Sequence, residues 1–413
     1  MQERHPNRRI NASIDRRLCT TFAGLPMRSP IIVGSGPPSA TLTNVVRAYK
    51  AGAGAIILKS IGAYIDGDLR PHDRRRYRWI KRYGTALTST FRKEIINLHR
   101  GIDLIKAARE ATNFPIIASI FHPSMAREED VLIWKDLAKA VVAAGAHGVQ
   151  LDFFYLNLRK LDQTQISFLT ESIADIAGTI SVPLFLKLNI FMDDDLIHSF
   201  CRSDKVAGYI FNDSISVEPF IDIDAGSALY DGILYAPTDG RSASVVTGEP
   251  LLPFTFSTTL RLHKLTRRPL SAGGGLERGA DVIHCLLGGA STVHITSAVM
   301  KHGVALIPRL HKQILSYLDE KNYDSVNELF AAAVQDQKEC RLNERPLSQV
   351  RAHLIPELCI ECGVCERLGV CDSFDVRPWT FEKDCDGCGY CFNLCPTDAL
   401  VPVPSNIDLK HVI

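Results

Sequence analysis

A chain of 413 residues, 46% apolar and 23% charged, has ordinary globular composition and room for one large domain plus a small one. Its formal net charge of +1 gives no global attraction to nucleic acid or to an anionic membrane surface, and no apolar run approaches the roughly 20 residues a membrane span needs. The start, MQERHPNRRINASIDRR, is rich in arginine but lacks the apolar centre of a secretory signal, and Glu3, Asp15 and the missing apolar face argue against a mitochondrial presequence. Residues 1–20 therefore read as a basic arm, and the expected compartment is the reducing cytoplasm.

From residue 30 short, β-branched apolar runs alternate with longer stretches of helical period. The runs are Ile31–Ser35, Ala55–Lys59, Pro115–Ile120, His147–Asp152, Val182–Lys187, Gly208–Asn212, Arg268–Ala272 and Thr292–Ser297. Helix candidates between them include Thr41–Ala51, Ile95–Ala111, Asp130–Ala144, Gln163–Ala177, Asp193–Cys201 and Gly279–Leu287. Continuously apolar strands separated by helices predict a parallel sheet buried on both faces. Eight such units in a row favour closure into a (β/α)8 barrel over a doubly wound open sheet.

Two long inserts, 60–94 and 213–253, follow the second and sixth strands, so in a barrel both lie over the face that carries catalysis. The first contains Arg74-Arg75-Arg76-Tyr77-Arg78-Trp79-Ile80-Lys81-Arg82-Tyr83. On a near-neutral chain this reads as a solvated or interface-lining loop, or as a reader of an anionic substrate, rather than as a nucleic-acid site. Beyond Met300 two helical patterns, Ala305–Leu318 and Ser325–Val334, the second opening with the capping-box pair Ser325 and Glu328, form an expected helical connector over 305–352.

The strand ends carry candidate binding groups. Ser271-Ala272-Gly273-Gly274-Gly275 closes the seventh strand and Thr296-Ser297 the eighth, where barrels bind phosphate with glycine amides and a helix start. Lys59 and Lys187 each end an apolar strand, a costly place for a cation unless it meets an anion. A lysine beside the N1–C2=O edge of a flavin would stabilise the charge gained on reduction; a structural ion pair is the plainer reading. Gly34-Ser35-Gly36 would let the backbone of the first loop lie close to a planar ring.

Residues 353–413 hold eight of the twelve cysteines. Cys359, Cys362 and Cys365 form one C-x2-C-x2-C triad; Cys385, Cys388 and Cys391 form a second, closed by Cys395-Pro396 as in bacterial ferredoxins. The fourth ligand of each cube in such proteins comes from the other triad's segment, which assigns Cys359, Cys362, Cys365 and Cys395 to one [4Fe–4S] cluster and Cys371, Cys385, Cys388 and Cys391 to another. Cys371 follows its triad by five residues rather than three, and Asp372 stands where proline is usual. Triads do not suit zinc, which takes paired cysteines, and disulfides do not suit a reducing compartment.

The stretches LPMRSPIIVGSGPP, AGAGAIILKS, FPIIASI, WKDLAKAVVAAGAHGVQLD, VPLFLKLN, SAGGGL and GASTVHITSA, followed by the cysteine module, resemble the dihydroorotate dehydrogenase class of FMN barrels, and within it the dihydropyrimidine dehydrogenase branch with two C-terminal [4Fe–4S] clusters. The resemblance spans about residues 20–400. It implies an FMN-binding barrel over 21–304, a connector over 305–352 and a ferredoxin-like domain over 353–413. It also implies FMN held by Gly34, Ser35, Gly36, Lys59, Ser60, Lys187, Asn212, Gly248, Gly273, Gly274, Gly275, Thr296 and Ser297, with electrons passing between flavin and clusters in a homodimer.

The substrate-reading positions depart from that pattern. Where relatives carry a motif like E-L-N-L-S-C-P after the fourth strand, this chain has Gln150-Leu151-Asp152-Phe153-Phe154-Tyr155-Leu156, so Asp152 replaces the asparagine and Tyr155 the cysteine. Phe91-Arg92-Lys93-Glu94 occupies another expected asparagine position; Asn212 alone remains, followed by Asp213. Hydride transfer to or from a C=C bond needs an acid or base on the adjacent carbon. Tyr155 is the first candidate, His122 the second, and Lys187 completes the catalytic set, with an aromatic wall and a capped loop residue as the plainer readings of the first two. The expectation is an oxidoreductase acting on a C=C or related conjugated bond of a small cyclic substrate, with an external electron carrier or an FAD/NAD(P)H-dependent partner subunit. The alternatives are a dihydropyrimidine or dihydroorotate dehydrogenase subunit proper, or an electron-transfer subunit with no substrate of its own.

Overall fold

The computed structural model describes residues 14–63, 77–80, 86–90, 95–153, 156, 158, 160–188, 192, 194–212, 214–217, 221–222, 227–228, 244–334, 350–365, 367, 385 and 387–404. The chain divides into two compact units, Met1–Asp336 and Gln337–Ile413.

The first unit is a closed barrel. Its strands are β1 (Ile31–Val33), β2 (Ala55–Ile57), β3 (Ile116–Phe121), β4 (Gly148–Asp152), β5 (Leu184–Leu188), β6 (Gly208–Phe211), β7 (Leu270–Gly273) and β8 (Thr292–Ile295). Each pairs in parallel with the next, and β8 pairs with β1 to close the ring. All eight coincide with the expected apolar runs. The helices α1 (Leu42–Ala51), α2 (Leu98–Ala111), α3 (Glu128–Ala143), α4 (Gln163–Gly178), α5 (Asp194–Arg202), α6 (Leu252–Leu265) and α7 (Gly279–Leu287) follow their strands, and a short α8 (Ser297–His302) leads into α9 (Leu306–Lys321).

The helix ends have local causes. Thr41, Asn97 and Asp162 accept the backbone N–H three residues on, starting α1, α2 and α4. Gly52, at φ +100, ends α1 in the left-handed region. The helix α6 is absent from the sequence-derived helices because its inner stripe includes threonines, Thr255 and Thr259, beside Leu262, which hides the apolar period. Nor is α9 part of a separate connector: Leu306, Ile307, Leu310, Ile314 and Leu318 are buried in the barrel's own core, where the helix packs as the eighth outer layer. The second connector helix does not form. Only a single 3₁₀ turn, Val326–Leu329, is present, Ser325 makes no side-chain cap, and Glu328 accepts from Asp324 N–H instead. The chain beyond the turn donates Ala331 and Ala333 N–H to the last carbonyls of α7, which pulls it out of helical register.

Strand alternation sorts the barrel interior by height. Low in the barrel, Ile32, Ala55, Ile57, Ile117, Phe185 and Ile210 form an apolar plug. A hairpin of Thr20–Phe22 with Leu25–Met27 seals it from below, Phe22 stacking on Phe185 at 4.8 Å between centroids. Gly148 makes room for that ring: a Cβ there would lie 2.8 Å from Phe185 Cε2. Two residues further up each strand the inward positions turn polar, as described below.

On α9, His311 is buried beneath β1, with Nε2 2.7 Å from Ser29 Oγ. Burial, and then the Arg28 charge, push its pKa down from 6.5 to about 4. Between those two values the unfolded chain binds a proton at this site that the folded chain does not, so the unfolding free energy should fall as pH drops from about 6.5 to about 4 and level off below. The loss should reach about 3 kcal/mol at most. Urea unfolding across that range should show a flatter dependence for His311→Gln; parallel curves would contradict the assignment.

Candidate active site

The polar layer sits at the C-terminal ends of the strands. Ser60 Oγ, just past β2, donates to Asp152 Oδ2 on β4 at 2.5 Å, and Asp152 Oδ1 lies 3.6 Å from Lys187 Nζ on β5. Ser60 also lies 3.2 Å from Ser119 on β3 and 3.4 Å from Ser35 past β1. Gln150 Nε2 donates to Ser119 Oγ at 2.8 Å while its Oε1 is buried with no hydrogen-bond partner among the described residues. Asp152 and Lys187 are 1% and 7% exposed, so this is a buried ion pair inside a hydroxyl network that joins five adjacent strand ends. Lys59, two residues beyond inward-facing Ile57, falls on the same inner face by strand period.

The other side of the ring forms a cradle. Gly274 and Gly275 have φ of +101° and +87°, which admits glycine with little strain. A Cβ on Gly274 would lie 2.0 Å from Asn212 O, and one on Gly275 2.7 Å from Gly248 O. Thr255 Oγ1 donates to the carbonyls of Gly273 and Gly274 and fixes the loop. Gly274, Gly275, Thr296 and Ser297 line a hollow of about 230 Å³ between the ends of β7 and β8. Asn212, at φ +62°, gives its Nδ2 to Thr258 Oγ1 and Phe254 O and leaves Oδ1 buried without a partner among the described residues; Thr296 Oγ1 is orphaned likewise. Backbone amides in a glycine loop beside orphaned polar atoms suit an anionic, hydrogen-bonding ligand such as FMN.

Three of the expected glycines have another reason to be glycine. A Cβ on Gly273 would meet His294 Nε2 at 2.1 Å, and Cβ atoms on Gly34 and Gly36 would meet the Thr296 side chain at 2.3 and 2.4 Å. These positions make room for neighbouring side chains. Sequence reasoning did not reach Ser119, Gln150, Thr255 or His294; their inward places in β3, β4, α6 and β8 were the available signal. It flagged Asp152 only as a departure.

The two inserts join over the strand ends. Strands Tyr77–Ile80 and Ala86–Thr90 from the first pair antiparallel with Ser244–Gly248 and Ile215–Val217 from the second in one four-stranded sheet. Its Ser244–Gly248 strand reaches the cradle, where Thr247 Oγ1 lies 3.4 Å from Ser297 Oγ. His122, just past β3, has Nε2 3.5 Å from Asp130 Oδ1 and its ring edge-on to Trp134. Asp130 also accepts from Ser124, Ala126 and Arg127 at the start of α3; these bonds outweigh its burial and hold its pKa at about 2. His122 is therefore docked on a helix start. Tyr155, Phe91–Glu94, Asp213 and most of the basic stretch Arg74–Tyr83 lie outside the described residues.

The second unit brings its two ends together. Val350–Leu354 pairs antiparallel with Leu400–Pro404 in a ribbon. That pairing carries Cys395, at the end of the short helix α10 (Tyr390–Leu394), back to the first triad. Cys359, Cys362, Cys365 and Cys395 ring one hollow of about 340 Å³, walled by Leu354 and Leu400. Cys395 Sγ accepts Ala399 N–H at 3.2 Å. Burial raises the Cys395 pKa, but hydrogen bonds from Thr397, Leu400 and Ala399 outweigh it and hold the thiol below its usual range, which suits a thiolate ligand. Cys391 is buried against Ala352 and Leu400, with Cys385 packed beside it, and Cys388 is exposed; Cys371 lies outside the described residues.

The fold and sites thus define a (β/α)8 barrel with a polar, glycine-lined mouth, followed by a ferredoxin-like unit. The 4Fe-4S binding domain family matches residues 378–401. The chain is 24% identical over 370 residues to the NAD-dependent dihydropyrimidine dehydrogenase subunit PreA of Escherichia coli (strain K12), covering 85% of each chain. It is 24% identical over 331 residues to the catalytic subunit of dihydroorotate dehydrogenase B (NAD(+)) of Thermoplasma volcanium, covering 77% of this chain and 99% of that one. Against the chloroplastic dihydropyrimidine dehydrogenase (NADP(+)) of Arabidopsis thaliana it is 23% identical over 338 residues, 77% of each. The protein is a homologue of the dihydropyrimidine and dihydroorotate dehydrogenases. Among the described residues no helix is long and apolar enough to cross a membrane.

The cradle can be tested by stability. Gly274→Ala must place a Cβ against Asn212 O at a left-handed φ and should cost at least about 2 kcal/mol. Gly24→Ala, also at positive φ (+81°) in the hairpin turn but with nothing within 4 Å of its Cβ, should cost about 1 kcal/mol. Equal losses in chemical unfolding would mean the loop is not packed as described.

Proposed function

We propose that this chain is an FMN- and iron–sulfur-dependent oxidoreductase acting on a C=C (CH–CH) or related conjugated bond of a small, cyclic substrate. The observation that carries the reading is the ring of inward polar groups at the strand ends, with its glycine cradle and orphaned Asn212 and Thr296 atoms, in a chain whose second unit rings a hollow with four cysteines. Gly248, Gly274, Gly275, Thr296 and Ser297 would hold the phosphate; Ser35, Lys59, Ser60, Lys187 and Asn212 would face the ring system. Bound FMN supplies hydride exchange with the substrate and single-electron exchange with the clusters.

The chain's own groups do the rest. Lys59 and the Lys187–Asp152 pair set the charge at the ring edge, the sealed lower barrel keeps the site dry from beneath, and Tyr155 supplies or takes the proton on the carbon next to the hydride. Cys359, Cys362, Cys365 and Cys395 would hold one [4Fe–4S] cluster and Cys371, Cys385, Cys388 and Cys391 a second, which would supply single-electron exchange with an external carrier or an FAD/NAD(P)H-dependent partner subunit. That relatives are named as subunits supports a partner, and a homodimer is the proposed assembly. Asp152 and Tyr155, at the positions of an asparagine and a cysteine in the family pattern, favour a ring other than the dihydropyrimidines.

Anaerobic addition of a dihydropyrimidine while following flavin absorbance tests this. The expected result is a flavin that accepts electrons from dithionite and passes them to the clusters but is not bleached by that compound. Prompt bleaching would restore the pyrimidine substrate, and a preparation that binds no FMN would remove the reading. Tyr155→Phe should lower turnover of the true substrate at least 100-fold while dithionite reduction is unchanged; full turnover would exclude Tyr155.

A further inference from the structure

The ion pair beneath the proposed ring site has a consequence for its redox chemistry. Asp152 and Lys187 are register partners on adjacent parallel strands, and both belong to inward positions. At 1% and 7% exposure the two charges are buried 3.6 Å apart, and Ser60 Oγ donates to the carboxylate at 2.5 Å. An asparagine at position 152 could accept the same Ser60 hydrogen bond but would take one negative charge away from beside Lys187. The carboxylate turns the Lys187 charge into a dipole, whose field falls off faster with distance.

We propose that Asp152 neutralises Lys187 and thereby makes the site an electron donor to its substrate. The inference rests on the FMN reading above. Beside an uncompensated cation, oxidised flavin takes up two electrons and one proton and is held as an anion. Beside a neutral pair it takes up two electrons and two protons, from solvent, and is held as a neutral reduced ring. Withdrawing net positive charge weakens binding of the reduced form relative to the oxidised form, so the reduced form gives up its hydride more readily and the enzyme runs as a reductase.

Among the described residues, three other charged or titratable groups stand at the strand ends: Lys59, His294 and His122. Lys59 beyond β2 falls on the same inner face by strand period and is present in the wild type and in both variants below, so comparing them isolates the charge at position 152. His294 on β8 lies against Ser271 Oγ, 3.2 Å from its Nδ1, and His122 beyond β3 is engaged by Asp130. The strand ends of β1, β6 and β7 bring Ser35, Asn212 and Gly273, none of which titrates. Asp152 is thus a positioning and charge-setting residue whose effect is read in a potential.

The experiment is a mediated redox titration of the flavin in the full-length, cluster-loaded protein from pH 6.5 to 8.5. In the wild type the couple should shift a hundredfold per pH unit, about 59 mV for two electrons. In Asp152→Asn the preference for reduced over oxidised flavin should rise at least tenfold at pH 7.5, about 30 mV upward, and the pH dependence should fall to about 30 mV per unit. Asp152→Glu, which keeps the charge, should follow the wild type. A wild-type slope of about 30 mV per unit, or an Asp152→Asn potential that is unchanged or lower, overturns the proposal; should Asp152→Asn not fold, the wild-type slope decides alone. Flavin that binds but ignores position 152 refutes this inference and leaves the FMN reading standing, whereas protein that retains no flavin refutes both.

Discussion

Closure of eight parallel strands forces every second side chain of each strand into a space with no solvent, and the molecule's chemistry follows from how that space is filled. Near the bottom it is filled by Ile32, Ile57, Ile117, Phe185 and Ile210, with Phe22 driven in from the hairpin below. One inward step higher on the same strands stand Lys59, Ser119, Lys187 and Asn212. A polar group there is costly without a partner; the hydroxyls of Ser35, Ser60 and Ser119 supply several, while Asn212 Oδ1 has none among the described residues. The apolar plug makes the polar layer consequential, because water cannot reach it from beneath and its charges act in a medium of low dielectric.

The same closure limits what could be read from the sequence. Each strand announces itself locally by a β-branched apolar run, so all eight barrel strands were legible. The cysteine spacing was equally local, and the antiparallel ribbon of Val350–Leu354 with Leu400–Pro404 accounts for the return of Cys395 to the first triad. Lateral neighbours were not legible. Asp152 and Lys187 are thirty-five residues apart (187 minus 152) and meet only through the β4–β5 register. The helix α6 was hidden by its threonines, one of which, Thr255, donates to the carbonyls of Gly273 and Gly274. Gly273 is glycine because of His294 on the next strand, a contact no local pattern encodes.

The inserts illustrate a second kind of non-local order. Each alone is a long loop over the barrel face. Paired as Ala86–Thr90 with Ser244–Gly248, they become a single sheet in which each insert supplies the edge the other needs. Because that sheet ends at Gly248, whose carbonyl lies where a Gly275 Cβ would stand, the cover and the cradle are built on the same few backbone atoms. Movement of the sheet would therefore be felt at the loop that follows β7 first.

A buried ion pair is an expensive way to fill a barrel. Removing two charges from water costs several kcal/mol for each, and apolar residues of similar size commonly serve stability as well or better. The apolar layer lower in the barrel, with Phe185 directly below Lys187 and Ile117 and Ile210 beside it, shows that this barrel can fill its interior with apolar side chains. Stability alone therefore does not account for Asp152 and Lys187. What the pair provides that an apolar filling cannot is a strong dipole fixed in direction by register, with one end tied to Ser60 and through it to the ends of three neighbouring strands. Such a dipole needs no reorganisation when charge develops beside it, which is the property a redox site requires of its walls.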